Sequence, residues 1–449
     1  MKRLFDDHLY KFETPQPSYW EATRGSAEFD ATPLQGHESC DVAVIGGGYT
    51  GLSAALHLAR DYNIDVRVLE AGHIGWGASG RNGGFCSMGG TAVHAADLIK
   101  LCGEEQAREF YQSQIEAVEL VRSLGHDEDI DFQACGEAEV IVAHSEKAFA
   151  GLEKDCALLR DVMGLQTQLF SRDEARERFY DSPEQFGAMQ ESPTFALHPL
   201  RYCRGLAAAA ERRGARLHER SEVLHWEKTA DGMHRLRTAG GELRARRVIF
   251  ATNGFMPESL NPVFYGRTLP VISSIVVTRP LSDTELAAHA WVTRNPAINA
   301  RKILNYFRLL PDNRFLFGAR GSTAGTVAGE QETHAANIAT MRRIWPEWAG
   351  VDIDYRWHGL ICMTGSLYPS LGCLDDDPSI FFGFGYHGNG VNTASWSGKQ
   401  LAEWVATGNM PLALPAIVQG LSKRYPLPRL RPLYFKLALA ISNWVDRRS

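Results

Sequence analysis

The sequence predicts an α/β protein in which a central parallel sheet is interleaved with a second, α+β domain built on a mixed or antiparallel sheet. Three observations lead to this prediction. The apolar run DVAVIGGG from Asp41 is followed by a helical stretch and by a second apolar run that ends at Glu70. Helical sequence follows Gly84, strand-rich sequence returns near Leu200, and strand-like runs alternate with a helix over 256–354 before the chain returns to the first domain. The chain has 449 residues, more than one ordinary core needs, so we expect two domains.

The first strand, the helix and the second strand form a βαβ unit. Because the two strands lie on either side of one helix, they should be parallel neighbours joined by a right-handed crossover. Later strands are predicted in ARLHE, SEVLHWEK, MHRLRTA and RRVIFAT, and helices near 104–124, 145–161 and 333–345. These patterns predict a first domain of residues 1–85, 198–255 and 355–449, and a second domain of residues 86–197 and 256–354.

Bulk composition excludes several classes of partner. The net charge of −6 offers no basic stripe for nucleic acid or anionic lipid, so we expect a small-molecule substrate. The start of the chain lacks a signal-peptide apolar stretch, and the apolar tract over 434–445 is too short to span a bilayer. We expect that tract to be an amphipathic docking helix. The eight cysteines lack paired CxxC spacing, which argues against a metal site and favours reduced thiols in a cytoplasm.

Gly46, Gly48 and Gly51 form a G-x-G-x-x-G motif between the first strand and the helix. In this context the motif predicts a Rossmann-like dinucleotide site, because these glycines permit a tight turn, close approach of pyrophosphate, and packing of helix on strand. Glu70 ends the second strand, where a carboxylate accepts hydrogen bonds from ribose hydroxyls and disfavours a 2′-phosphate. The alternative is that the glycines only shape a turn. The motif by itself leaves NAD and FAD both open.

Three stretches carry a resemblance to a known family: DVAVIGGGYTGLSAALHLA, LEAGHIGWGASGRNGGF and FFGFGYHGNGVNTASWSGKQLAEWV. They resemble the glycine oxidase/D-amino-acid oxidase (DAO) superfamily of FAD-dependent oxidoreductases, and within it the γ-glutamylputrescine oxidase type. The resemblance runs through the whole chain and implies FAD as the cofactor, with the first domain as the FAD-binding domain and the second as the substrate-binding domain. Some relatives attach the flavin to a cysteine, but Cys362 is offset by one from the matching position. We therefore expect noncovalent FAD.

The resemblance also implies which residues hold the cofactor. The loop after the second strand should pass along the pyrophosphate and the ring, because small residues allow close approach and Arg81 can hold an anion. The late glycine segment, residues 388–391, should aim a helix N-terminus at the flavin, where the helix dipole would stabilise negative charge on the reduced ring. Val223 is explained equally well as a core strand residue, and both glycine segments as loops shaped for clearance. The expected cofactor-binding residues are Gly46, Gly48, Tyr49, Thr50, Gly51, Glu70, Ala71, Ala78, Ser79, Arg81, Asn82, Gly83, Gly84, Val223, Ala251, Thr252, Gly388, Asn389, Gly390 and Val391.

Two residues are candidates for direct roles in catalysis. His387 either faces the flavin ring from the substrate side or satisfies a local hydrogen bond. Arg308 matches a family position that borders the pocket, and is either an anion holder or a surface strand arginine. Amino-acid oxidases of the family often carry an arginine in a Trp-x-Gly-Leu-Arg-Pro stretch that grips the substrate carboxylate, whereas Ile361 stands at that position here. A simple glycine or D-amino-acid oxidase is therefore disfavoured.

The activity that the resemblance implies is oxidation of an alkyl amine of the γ-glutamylputrescine kind. Hydride would move from the amine-bearing carbon to flavin N5, the imine would hydrolyse to aldehyde and ammonia, and oxygen or a quinone would reoxidise the flavin. One alternative is a secondary-amine or N-methyl amino-acid oxidase of the sarcosine oxidase type. Another is an FAD-binding subunit of a larger complex. The oligomeric state is left open.

Overall fold

The computed structural model describes residues 4–255 and 258–446, and for 443–446 it describes the backbone alone. The first three residues of the predicted N-terminal segment, and the first two of the predicted stretch 256–354, lie outside the described residues.

The described residues form strands and helices in alternation. The strands are β1 Gly36–Ile45, β2 Val66–Leu69, β3 Phe85–Cys86, β4 Glu139–Val142, β5 Gln166–Phe170, β6 Ala188–Ser192, β7 Phe195–Ala196, β8 Arg216–His218, β9 His225–Lys228, β10 His234–Arg237, β11 Gly241–Phe250, β12 Thr268–Pro280, β13 Ala297–Asn299, β14 Tyr306–Leu309, β15 Arg314–Arg320, β16 Ile353–Thr364, β17 Ser370–Leu374 and β18 Asp377–Phe384. The α-helices are α1 Tyr19–Ala22, α2 Tyr49–Tyr62, α3 Ala95–Cys102, α4 Glu104–Asp127, α5 Glu146–Asp161, α6 Arg172–Arg178, α7 Pro199–Arg212, α8 Asp283–Ala288, α9 Val327–Ile344, α10 Gly390–Thr407 and α11 Arg431–Asp446.

The first sheet has the strand order β17-β18-β11-β1-β2-β8, and β10 and β9 extend it from β11. β1 pairs in parallel with β2, as the βαβ pattern predicts, and it also pairs in parallel with β11. Helix α2 returns the chain between β1 and β2 and is buried along most of its length, because small and apolar residues cover nearly its whole surface. The predicted α/β class with a Rossmann-like parallel sheet is confirmed.

The second sheet has the order β16-β12-β15-β14-β13-β4-β6-β5 and is antiparallel except where β13 pairs with β4. Alternate residues of each strand face opposite sides. One side packs on a core of aromatic residues that includes Phe307, Phe315 and Trp345. We call the opposite side the inner face; it carries Glu139, Ser273, Tyr306, Arg308, Arg320, Gly359 and Ile361.

Two predictions about strands are wrong in detail. β16 belongs to the second sheet, where it pairs with β12 along its length, so residues 355–364 do not pair with the sheet to which the predicted boundary at 354 assigned them. The strand predicted in SEVLHWEK starts only at His225, and Val223 lies in irregular chain before it. The assignment of whole domains to cofactor and substrate stays a prediction.

The helix predictions hold with shifted ends. α4 and α5 match the predicted 104–124 and 145–161 closely, whereas α9 begins at Val327, six residues before the predicted 333. The Thr326 side chain caps its start by accepting a hydrogen bond from the Gly329 N–H, a signal that apolar periodicity does not carry. The tract over 434–445 lies in α11, which exposes Leu433, Leu437 and Ile441.

Three further properties concern the described part of the chain. None of its helices is long and apolar enough to cross a membrane. It contains no group of three or more His, Cys, Asp or Glu side chains arranged to hold a metal ion. All eight cysteines are free, in line with their scattered spacing.

Candidate active site

The turn between β1 and α2 is closed by glycines that a larger residue would disrupt. Gly46 has a φ of +112°, and a Cβ there would lie 2.8 Å from the carbonyl oxygen of Ala251. A Cβ on Gly51 would lie 2.0 Å from the carbonyl oxygen of Gly46. The first turn of α2 therefore presses against the end of the strand, and its backbone N–H groups and positive dipole end border a groove.

The amino end of α2 has a hydroxyl beside it. Gly48 is the N-cap residue and has no side chain to cap the helix. The Oγ of Ser79, from the loop after β2, accepts a hydrogen bond of 3.0 Å from the Tyr49 N–H instead. A Cβ at Gly48 would lie 2.8 Å from that Oγ. Gly48, Tyr49 and Ser79 thus meet at the point where a helix terminus attracts a phosphate.

Glu70 lies at the end of β2, one strand over from the glycine turn. Its carboxylate accepts hydrogen bonds from the Gly47 N–H at 2.7 Å and from the Gly72 N–H at 2.9 Å. Burial raises the pKa of Glu70, and these backbone donors oppose the rise. Each carboxylate oxygen keeps a second lone pair, so Glu70 both ties the glycine turn to β2 and lines the groove as a ribose acceptor would.

The loop from Ala78 to Gly84 is braced by Asn82. Its side-chain amide donates to the carbonyl oxygens of Ala78 and Ser79, each at 3.1 Å, and its Oδ1 accepts from the Gly84 N–H at 2.7 Å. The carbonyl oxygen of Asn82 accepts a bond from the indole of Trp20 at 2.9 Å. These bonds make Asn82 a support for the loop conformation, which positions the neighbouring residues.

Arg81 is a buried cation on the same loop. Its guanidinium lies 3.9 Å from the ring centroid of Trp76, and its Nη2 has no hydrogen-bond partner in the described residues. Burial lowers the pKa of Arg81 to about 9, while Glu21 and more distant acids oppose the fall. A buried guanidinium with an unused donor fits an anion holder.

A groove runs along these elements. Its walls include predicted residues from every segment of the first domain except the late glycines. Those residues are Gly46, Gly48, Tyr49, Thr50, Glu70, Ala71, Ala78, Ser79, Val223, Ala251 and Thr252. Val223 is buried and lines the groove from irregular chain, so its backbone is not engaged in a strand.

The late glycine segment joins the groove through α10. Asn389 is the N-cap residue of this helix, and Gly388 before it is exposed with a φ of +103°. α10 lies against α2 so closely that a Cβ on Gly398 would be 2.4 Å from the carbonyl oxygen of Thr50. The hydroxyl of Tyr386 bonds to Thr50 Oγ1 at 2.7 Å. The amino ends of both helices are therefore held at the same site, while Gly390 and the buried Val391 form the first turn of α10.

The inner face of the second sheet covers the loop and the late glycines. A Cβ on Gly359 would lie 3.4 Å from the Cβ of Arg81. Ile361, two residues along the same strand, reaches to 4.0 Å from the Cβ position of Gly388. Gly83 lies against the ring of Tyr306, which approaches its Cβ position to 2.9 Å. The two segments predicted to flank the redox ring are thus brought to one place, with the inner face above them.

Arg308 lies behind the loop. It is 3% exposed, so the alternative of a surface arginine is wrong. Its Nη2 donates to the carbonyl oxygen of Leu197 at 2.7 Å and would lie 2.6 Å from a Cβ on Gly84. Burial lowers the pKa of Arg308 to about 10. In this position Arg308 supports the loop at Gly84, and its role as an anion holder stays a prediction.

His387 is engaged locally. Its Nε2 lies 3.2 Å from Thr364 Oγ1, and its Nδ1 is buried with no partner in the described residues. Burial lowers the pKa of His387 to about 4, so the ring is neutral near pH 7. This arrangement favours the structural alternative, in which His387 fixes the turn before α10 at a φ of +51°.

The fold and the groove together define a class of protein. A parallel sheet whose glycine turn, helix terminus and strand-end acid face one groove is a dinucleotide-binding domain, and the inner face of a second sheet contacts the loop at Arg81 and Gly83. The chain belongs to the family of FAD-dependent oxidoreductases (DAO family), which it matches over residues 41–404. The cofactor is therefore FAD, and the buried cradle of glycines, Ser79, Glu70 and Arg81 fits its phosphates and ribose.

Individual relatives agree with this assignment. The chain is 33% identical over 394 residues to the gamma-glutamylputrescine oxidoreductase of Escherichia coli strain K12, covering 86% of this chain and 88% of that protein. It is 24% identical over 384 residues to the glycine oxidase of Bacillus subtilis strain 168, covering 81% of this chain and 92% of that protein. The crystal structure of glycine oxidase from Geobacillus kaustophilus superposes with a TM-score of 0.70 at 22% identity, covering 87% of this chain and 100% of the glycine oxidase chain.

Several groove residues were missed by the sequence analysis. Trp76 and Gly77 lie inside a quoted flavin stretch, so that stretch contained the signal for them. The other missed lining residues are Phe12, Ile45, Leu69, Glu222, Phe255, Leu260 and Ala394. Most are apolar, and an apolar residue that walls a groove has no local pattern that separates it from a core residue.

Proposed function

We propose that the chain oxidises an alkyl amine of the γ-glutamylputrescine kind to an imine that hydrolyses to aldehyde and ammonia. The observation that carries the proposal is Ile361 on the inner face, 4.0 Å from the Cβ position of Gly388. An isoleucine there presents an apolar wall where amino-acid oxidases of the family often hold a carboxylate with an arginine. The 33% identity to a gamma-glutamylputrescine oxidoreductase supports the same substrate class.

FAD, when bound, supplies a two-electron acceptor for hydride from the amine-bearing carbon. The residues of this chain bind and orient. The inner face near Ile361 is the proposed place of the substrate, and the Tyr306 hydroxyl on the same face is fixed by a 2.8 Å bond to Ser273 Oγ. Confinement excludes water and aligns the reacting carbon, and such alignment is worth several powers of ten in rate.

Proton removal from the substrate ammonium does not need a strong base on the protein. His387 is neutral near pH 7 but bonds to Thr364. An apolar wall such as Ile361 lowers the pKa of an ammonium that enters the site, because desolvation disfavours the charged form. The neutral amine that hydride transfer requires is therefore favoured by the environment of the site.

The attachment of FAD is proposed to be noncovalent. Cys362 and Ile361 are adjacent on β16, so their side chains face opposite sides of the sheet. Burial also raises the pKa of the Cys362 thiol to about 12, which keeps it protonated and a poor nucleophile. Extraction of all flavin absorbance by acid denaturation would support this proposal, and flavin that stays with the precipitated chain would contradict it.

A secondary-amine or N-methyl amino-acid oxidase of the sarcosine oxidase type is a second candidate. The observation in its favour is Arg308, a buried arginine of the inner face whose Nε has no hydrogen-bond partner among the described residues and would hold the substrate carboxylate. A role as an FAD-binding subunit is favoured only by the exposed stripe of Leu433, Leu437 and Ile441 on α11.

Anaerobic reduction of the FAD-loaded protein tests the proposal. The oxidised flavin bands should bleach with alkyl amines and γ-glutamylated amines, faster than with sarcosine, glycine or D-amino acids. Faster bleaching by sarcosine would favour the second candidate. Bleaching by no amine until another protein is added would contradict the proposal and favour the subunit role. Readmission of oxygen, or of a quinone without oxygen, then identifies the acceptor.

A further inference from the structure

Arg320 is a cation on the inner face that the described part of the chain leaves without an acceptor. Its Nε and Nη1 are buried and have no hydrogen-bond partner among the described residues. Its guanidinium carbon lies 5.5 Å from the ring centroid of Phe435 in α11. Burial alone lowers the pKa of Arg320 to about 10, which leaves it charged at neutral pH. A desolvated guanidinium without an anion is costly.

The register of the strands places Arg320 at the substrate site. Arg320 in β15 is directly opposite Ser273 in β12, and Ser273 is directly opposite Gly359 in β16. Side chains that are opposite one another across antiparallel strands share a face, with Cβ atoms about 5 Å apart. Ser273 bonds to Tyr306, which touches Gly83, and Gly359 abuts Arg81. Arg320 therefore lies on the same face of the sheet as the residues that surround the predicted site of the flavin ring.

Few strand side chains flank Arg320. β14 begins at Tyr306, which is opposite Gly318, so β14 has no residue paired with Arg320. Leu304, which precedes β14, is exposed. On the other side, Ser273 is directly opposite Arg320, and Gly359 beyond it contributes no side chain.

We infer that Arg320 binds a carboxylate of the substrate. This inference rests on the proposed amine oxidation and deepens it: the amine that enters the site carries a carboxylate, and Arg320 takes over the anion contact that Ile361 has lost. A guanidinium holds a carboxylate through two parallel N–H···O bonds, and two of its nitrogens are unused here. The contact orients the amine-bearing end of the substrate toward Ile361 and Gly388.

The test compares matched pairs of substrates that differ only in the carboxylate. Aminocarboxylates from glycine to 8-aminooctanoate are paired with alkylamines of the same chain length, using wild-type holoenzyme, Arg320→Gln and Arg320→Lys. The ratio of kcat/KM within a pair should favour the aminocarboxylate in wild type at the chain length that fits. In Arg320→Gln this preference should fall at least about tenfold, mainly through KM. Arg320→Lys should retain part of it, since a lysine keeps the charge and loses the fork.

Arg314→Gln is the control on the same face of the same strand, because its guanidinium already has Asp312 and Asp354 as partners. Its substrate ratios should equal those of wild type. Equal ratios in wild type and Arg320→Gln, with FAD content and melting temperature unchanged, would overturn the inference.

A binding measurement separates this inference from the proposed function. Pentanoate and octanoate should perturb the visible spectrum of the bound FAD in wild type, with a dissociation constant at least about tenfold weaker in Arg320→Gln. If no amine reduces the flavin but this difference is present, amine oxidation fails and the carboxylate site stands. If amines reduce the flavin and the two proteins bind these carboxylates equally, only the role of Arg320 fails.

Discussion

The cofactor groove and the inner face of the second sheet meet where Gly359 abuts Arg81, yet the chain builds them in different ways. The groove draws its polar contacts from short contiguous stretches, each of which makes a turn, a cap or a strand end. The inner face takes one residue in two from strands far apart in the chain, such as Ser273, Arg320 and Gly359. Backbone geometry therefore determines which residues line the groove, and strand register determines which residues lie on the inner face.

This difference sets how each region responds to substitution. In the groove a single methyl group meets backbone atoms that cannot move without shifting a strand or a helix. On the inner face a substitution meets side chains and space, so it changes affinity or pH dependence and leaves the fold in place. The three variants below are ordered by the size of the effect expected from this comparison.

Gly51→Ala should have the largest effect. The added Cβ would lie 2.0 Å from the Gly46 carbonyl oxygen, so α2 must move off β1, at a cost of about 3 kcal/mol or more. We expect loss of FAD and a large fall in the urea midpoint. Gly151→Ala on α5 is the matched control, since a Cβ there meets nothing within 4 Å, and alanine should stabilise the helix by about 0.5–1 kcal/mol. A yellow, stable Gly51→Ala protein would show that the groove tolerates side-chain bulk.

Glu139→Gln and Glu191→Gln should change the pH dependence of stability. These two carboxyls are opposite one another on β4 and β6. Burial raises the pKa of Glu139 to about 7 and that of Glu191 to about 8, with the Glu139 charge adding to the second. The folded chain keeps protons that the unfolded chain loses above about pH 4.3. The stability is therefore full below that pH and falls as the pH rises toward 7–8.

Urea unfolding at pH 5 and pH 7.5 measures this effect. The double variant should gain stability over wild type at pH 7.5, and the gain should shrink at pH 5. Ser87 Oγ donates to Glu139 at 2.8 Å, a bond that the glutamine oxygen also accepts. Glu177→Gln on the exposed side of α6 is the control and should follow wild type at both values. An equal effect of the double variant at both pH values would mean that these carboxyls are ionised in the fold.

His387→Asn should have the smallest effect. If His387 only fixes the turn before α10, kcat should change less than about threefold and the pH profile of kcat/KM should keep its shape. A general base would instead contribute about 100-fold or more. A loss of that size, together with the disappearance of one limb of the pH profile, would restore His387 as a proton acceptor.

The sequence predicted the groove well and the inner face poorly, for the reason that separates them. Gly46, Gly51, Glu70 and Ser79 belong to stretches whose spacing itself encodes a turn, a strand end or a loop. Val223 was assigned to a strand because its apolar neighbours fit one, and the structure places it in irregular chain. The sequence did not single out Arg320 as a site residue. Arg320 lies beside Ser273 only because β12 pairs with β15, and local periodicity does not reveal which strands pair. The exclusion of β16 from the predicted second domain has the same cause.

A crystal structure of the protein with FAD bound is the most direct test of the account. We predict the pyrophosphate at the amino end of α2, beside Gly48 and Ser79, and the flavin ring between Gly83 and the late glycines, with Ile361 within about 4 Å of it. A ring that lies outside the space between these segments and the inner face, or an FAD bound in the opposite direction along the groove, would contradict it.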